Sequence, residues 1–119
     1  MKIRLITNEA VLTATLVDSA ATRDFVAMLP LRLTLRDYAG TEKVSDLPKR
    51  LGSHDSPAGC DPDVGDITYY APWGNLAIFY RDFGYAKGLV KLGHIDSGIE
   101  KLGRASGEVV VRLELASAR

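Results

Sequence analysis

Leu31-Arg32-Leu33-Thr34-Leu35-Arg36 alternates a leucine with a polar residue over six positions. Side chains on an extended strand point to opposite faces in turn, so this segment has one buried side and one wet side. The same period returns in short runs along the chain. Lys2–Thr7 sets Ile3 and Leu5 on one face, with Lys2, Arg4 and Ile6 on the other. Asn8-Glu9 reads as a turn and Val11–Val17 as a Thr-rich return strand, which makes an opening hairpin. Thr41–Leu47, Asp66–Ala71, Asn75–Arg81, Leu89–Ile95 and Glu108–Leu115 read as further strands. Many short strands with turn residues between them favour a barrel or sandwich.

Two helices interrupt the pattern. Asp18 or Ser19 can cap one across Ala20–Leu29, where Ala21, Phe25, Met28 and Leu29 fall at helical spacing and Pro30 ends the run. Asp96 or Ser97 can cap a shorter one around Ile99–Leu102, stopped by Gly103. Short amphipathic helices in such a chain are suited to plugging the open ends of a barrel. Pro48–Gly65 is the longest irregular stretch, and long loops in compact domains tend to be functional or mobile.

With 119 residues, 46% of them apolar, the chain has the size and core material of one domain spanning residues 1–119. Fifteen basic and fifteen acidic residues cancel. That balance argues against nucleic acid as a partner, since phosphate binding draws on a basic excess, and against a charged membrane surface for the same reason. The longest apolar runs are about five residues, far short of the roughly 18 that a spanning helix needs. Cys60 is the only cysteine, so no intramolecular disulfide framework exists. The polar N-terminus offers no signal-peptide core, and the cytoplasm is the expected compartment.

The segments Gly65-Asp66-Ile67-Thr68-Tyr69-Tyr70-Ala71-Pro72-Trp73-Gly74-Asn75-Leu76-Ala77-Ile78-Phe79-Tyr80 and Leu92-Gly93-His94-Ile95-Asp96-Ser97-Gly98-Ile99 resemble the small microbial proteins described as cyclophilin-like. The resemblance runs over nearly the whole chain. It implies a mainly β fold: a closed, roughly eight-stranded barrel with two short helices capping its ends. Cyclophilins that isomerise prolyl bonds carry an aromatic-His-Arg run on the strand after the first helix and a Gln-Gly-Gly-Asp stretch beyond it. Here those positions read Leu31–Arg36 and Asp37-Tyr38-Ala39-Gly40-Thr41-Glu42. Arg32 or Arg36 would be the catalytic donor of a divergent peptidyl-prolyl isomerase, the alternative reading. The groove residues of that family are echoed by Phe79 and Tyr85.

Strand parity points to a groove independently. If Ile67, Leu76 and Ile78 face inward, then Thr68, Tyr70, Ala77, Phe79 and Arg81 face outward. The first reading is therefore a non-catalytic binding groove of Tyr70, Phe79, Arg81 and Tyr85, helped by Glu42. It would hold a small molecule or an extended peptide, with Arg81 orienting a ligand oxygen. Trp73, at a tip between Pro72 and Gly74, is either a ligand platform or contact, or a lid. His94 and Asp96 share a strand face as a base and its orienting carboxylate would, although helix capping by Asp96 is the plainer role. His54, Asp55, Cys60, Asp61 and Asp63 crowd the long loop without the paired spacings of a zinc site, so neither metal nor cofactor is expected. A protein partner adding to an exposed edge strand is a third possibility, and the oligomeric state stays open.

Overall fold

The computed structural model describes residues 1–105 and 107–116. In chain order its elements are β1 (Lys2–Ile6), β2 (Val11–Leu16), α1 (Ala20–Ala27), β3 (Leu31–Tyr38), β4 (Glu42–Asp46), β5 (Gly59–Cys60), β6 (Asp66–Tyr70), β7 (Asn75–Phe79), β8 (Ala86–Lys87), β9 (Leu89–Ile95), α2 (Ile99–Gly103) and β10 (Val109–Leu115). Eight strands close into an antiparallel barrel in the order β1-β10-β3-β4-β7-β6-β9-β2, with β2 returning to β1. Closure removes the open edges that a sheet would otherwise expose. Among the described residues the barrel itself therefore has no open edge strand.

The alternation carries through to packing. Ile3, Leu5, Leu12, Ala14, Leu33, Leu35, Ile67, Tyr69, Leu76, Ile78, Val111 and Leu113 fill the interior, while Arg32, Thr34 and Arg36 stand in solvent. On β9 the period breaks: a register shift against Ile67/Thr68 lets Leu92 and Ile95, three residues apart, both reach the core. A bulge of this kind turns the following side chain to the other face, and His94 is thereby directed outward.

Each helix follows a different end of the barrel. α1 leaves the Leu16 end of β2 and buries Ala21 and Phe25 in the interior; Ser19 caps it by accepting the Thr22 N–H at 3.2 Å. It stops at Ala27, two residues before the span that the apolar spacing suggests. α2 lies at the opposite end and contributes Leu102 to the core. Its N-cap is Gly98 at φ 89°, not Asp96 or Ser97. The left-handed backbone there suits glycine, and no side chain caps the helix. Asp96 instead binds Lys2 Nζ at 2.7 Å and accepts from Thr15 Oγ1 at 2.8 Å.

The long loop is tied down. Asp24 accepts the Gly52 N–H at 2.7 Å, the Tyr69 hydroxyl accepts the Leu51 N–H at 3.2 Å, and Arg50 donates to the Ala71 carbonyl at 2.8 Å. Within stretches that read as irregular, β5 and β8 pair as a two-stranded ribbon outside the barrel, Gly59 opposite Lys87 and Cys60 opposite Ala86. Strands of two residues show no period, which is why the sequence does not announce them.

Candidate functional site: an aromatic cavity on the outer wall

Strand parity holds on β6 and β7. Ile67, Leu76 and Ile78 point into the barrel, and Ala77 and Phe79 point out of it. The outward side chains do not stay wet. Val44, Ala77, Phe79 and Leu89 form a second apolar cluster on the outer wall, flanked by Cys60, Tyr70 and Ala86. Phe79 is only 1% exposed, and Phe83, from the connection after β7, lies 5.4 Å away between ring centroids. The ribbon and this connection thus cover part of the face that parity would leave bare.

Beside that cover a cavity of about 180 Å³ remains. Val44, Leu89 and Ala86 line its apolar side, with Phe79 and Phe83 as one aromatic wall. Three linked rings also line it. Tyr38 and Tyr70 each meet Trp73 edge-on, at 5.7 Å and 5.3 Å between centroids and 83° between planes. Edge-to-face contacts of this kind hold each ring by the electrostatics of the others as well as by packing. Trp73 is 57% exposed, a wall with one side still open to solvent.

Glu42 and Asn75 complete the lining, and each has an acceptor oxygen left without a donor among the described residues. Glu42 is buried; its Oε2 accepts from Thr41 Oγ1 at 3.0 Å, and among the described residues no donor reaches Oε1. Burial pushes its carboxyl above the ordinary range, the Thr41 bond lowers it, and nearby Asp37 raises it. Asn75 opens β7 with its side chain directed outward and is 7% exposed. Its Oδ1 is buried with no hydrogen-bond partner among the described residues.

Of the residues singled out from sequence, Glu42, Tyr70 and Phe79 line this cavity, together with Trp73. Arg81 and Tyr85 do not. β7 ends at Phe79, so Arg81 leaves the sheet plane and lies over the Tyr80 ring, 5.8 Å from its centroid. Tyr85 is exposed, with its hydroxyl over Gly59 of the ribbon. Arg32 and Arg36 are exposed on β3, and neither is in the lining. Tyr38, Asn75 and Phe83 were not legible as site residues. The first two sit at strand ends, and the third lies in a connection without periodicity.

His94 pairs with Asp66, not with Asp96: Nδ1 lies 2.7 Å from Oδ1 of Asp66. The β6–β9 register sets these residues opposite each other. Asp66 is buried, also accepts the Asp63 N–H at 2.9 Å, and has Lys91 Nζ at 3.5 Å. Asp55 of the long loop accepts from the Ala20 N–H at 3.1 Å. A second, open cleft of about 680 Å³ lies at the α2 end between the β1–β2 turn and the segment leading to β10. Charges of both signs, among them Glu9, Lys101, Arg104 and Glu108, line it.

No helix among the described residues is long and apolar enough to cross a membrane. No curated protein matches the chain. Among solved structures, a hypothetical protein of Archaeoglobus fulgidus superimposes with a TM-score of 0.71. That likeness covers 98% of this chain and 95% of the other at 18% identity, and it speaks for the fold alone. The profile of the Cyclophilin-like family matches residues 5–114, over the same barrel that β1 to β10 build, and the chain therefore belongs to that family.

Proposed function

We propose that this protein is a non-catalytic binding domain whose outer-wall cavity takes one apolar or aromatic group of a small molecule or of an extended peptide. The observation that carries this reading is an aromatic-walled cavity holding a buried polar atom without a partner among the described residues, the Oδ1 of Asn75. Apolar walls with a few placed polar groups are the usual make-up of ligand sites, the walls supplying free energy and the polar groups orientation. A prolyl isomerase needs a donor that favours the twisted amide over the planar one. Here the two arginines that could serve as that donor, Arg32 and Arg36, lie outside the lining.

The test is a titration of isotope-labelled protein with a short Xaa-Pro peptide and with small aromatic probes. Amide shifts are followed together with peptide cis–trans exchange. The reading expects shifts at Tyr70, Trp73 and Phe79 with no acceleration of an exchange that takes tens of seconds unaided. Fast exchange abolished in Arg32→Ala or Arg36→Ala would make the protein an isomerase and overturn it.

A further inference from the structure

The cavity walls are neutral rings, yet the Glu42 and Asn75 side chains set among them each present an acceptor oxygen that no donor reaches among the described residues. A buried amide oxygen with no partner is uncommon, because leaving such a group unpaired is costly. Asn75 Oδ1 is one. It shares a lining with the Glu42 carboxylate, whose Oε1 no described donor reaches, and with the rings of Tyr38, Tyr70 and Trp73. Among the described residues no arginine or lysine lines the cavity. Lys43, next to Glu42 in sequence, is spent elsewhere: its Nζ donates to the Ala105 carbonyl at 2.8 Å and lies 3.6 Å from Asp37.

These features share one complement. We infer that the cavity takes an organic ammonium group on a short apolar or aromatic stem, its N–H donated to Asn75 Oδ1, its charge set against Glu42 and its stem packed on the aromatic walls. Ring faces attract cations through their quadrupole, most strongly where water is excluded. A carboxylate and an amide oxygen supply the directional bonds that rings lack. The volume agrees as well. An engineered apolar cavity of about 150 Å³ holds a benzene molecule. About 180 Å³ therefore suits one ring or one alkylammonium arm, not a nucleotide. An anionic ligand would meet the Glu42 carboxylate and, among the described residues, no cationic side chain to offset it.

This inference rests on the binding-domain reading and sharpens it to a ligand class. Its test uses the full chain and four probes: 2-phenylethylamine, its N,N,N-trimethyl analogue, 3-phenylpropionate, and a short peptide with one lysine. Binding is read from shifts of the Trp73 indole and the Asn75 side-chain amide. 2-Phenylethylamine is expected to saturate these shifts. Glu42→Gln should weaken it by about tenfold or more, as loss of a charged hydrogen bond does. The trimethyl analogue, with no N–H for Asn75, should bind about fivefold more weakly or worse. A lysine peptide that binds as well as the free amine identifies a partner side chain as the source, and binding by the amine alone identifies a small molecule. Equal affinity for 3-phenylpropionate, or an amine indifferent to Glu42→Gln, would overturn the ammonium assignment and leave the cavity as a binding site. Silence at Trp73 and Asn75 toward every phenyl probe, with the folded spectrum intact, would overturn both.

Discussion

Replacing Asn75 by leucine should make this protein more stable while impairing its cavity. The two side chains share a branched shape with the same number of heavy atoms, and the open cavity that residue 75 lines leaves room for the larger leucine methyls. Asn75 Oδ1 is buried without a partner among the described residues, and such a group costs roughly 1–3 kcal/mol of desolvation that no bond returns. Leucine removes that penalty and adds apolar contact beside Val44 and Leu89. The backbone of residue 75, paired with Asp46 and Tyr70, keeps its register. The net expectation is a gain of about 1–2 kcal/mol, equivalent to a rise in Tm of roughly 3–8 °C for a chain of this size. Urea unfolding followed by circular dichroism, with an unchanged m-value, would measure it. A loss of 1 kcal/mol or more would refute the reasoning, because it would mean that the amide is satisfied within the fold and was never held in reserve for a ligand. A stable, ligand-blind variant is the signature of a group kept at a functional site against the interest of stability.

Four further outcomes follow from other parts of the structure. Asp66→Ala strips the Asp63 N–H of its acceptor and releases His94 and Lys91, so about 2 kcal/mol of stability should be lost by urea unfolding. Glu42 faces Thr41, Asp37 and Tyr80, and its folded pKa is raised, chiefly by burial. Its ionised form is therefore penalised in the fold above that raised pKa and not below the ordinary carboxylate range; Glu42→Gln should raise Tm at neutral pH and lose the advantage in acid. Asp37, held low by the Tyr80 hydroxyl, and Asp96, held low by Lys2, act with the opposite sign, so a Tm–pH profile should show their contribution disappear as pH falls through their depressed values. In Gly59→Ala the new methyl would collide with the Ala86 carbonyl oxygen and sit 2.7 Å from the Tyr85 hydroxyl. Slow amide exchange should be lost at the β5–β8 ribbon and kept in the barrel.

What the sequence discloses here is parity. Leu31–Arg36 and Lys2–Thr7 declare their buried faces, and Ile67, Leu76 and Ile78 against Ala77 and Phe79 declare an outer wall with an apolar side. Hence the barrel was legible, and so were Glu42, Tyr70 and Phe79 as cavity residues. Parity fails where a period breaks. The bulge on β9 turns His94 toward Asp66, 28 positions away, so the carboxylate two residues on, Asp96, looks like its partner and is not. Arg81 fails for a related reason: continuing the alternation past Phe79 assumes a strand that has already ended. Asn75 was hidden because one asparagine at a hairpin end has many uses, and only the three-dimensional lining shows that its oxygen lacks a partner.

The central claim is that ligands enter the outer-wall cavity, and the chain carries one tryptophan, which lines it. Intrinsic fluorescence therefore reports on that site without a label. Titration with 2-phenylethylamine should give a saturable change in Trp73 emission that Phe79→Ala alters and Glu42→Gln weakens. Unchanged emission, alongside amide shifts confined to the cleft of Leu12, Leu102 and Arg104 at the α2 end, would place binding elsewhere and contradict the account.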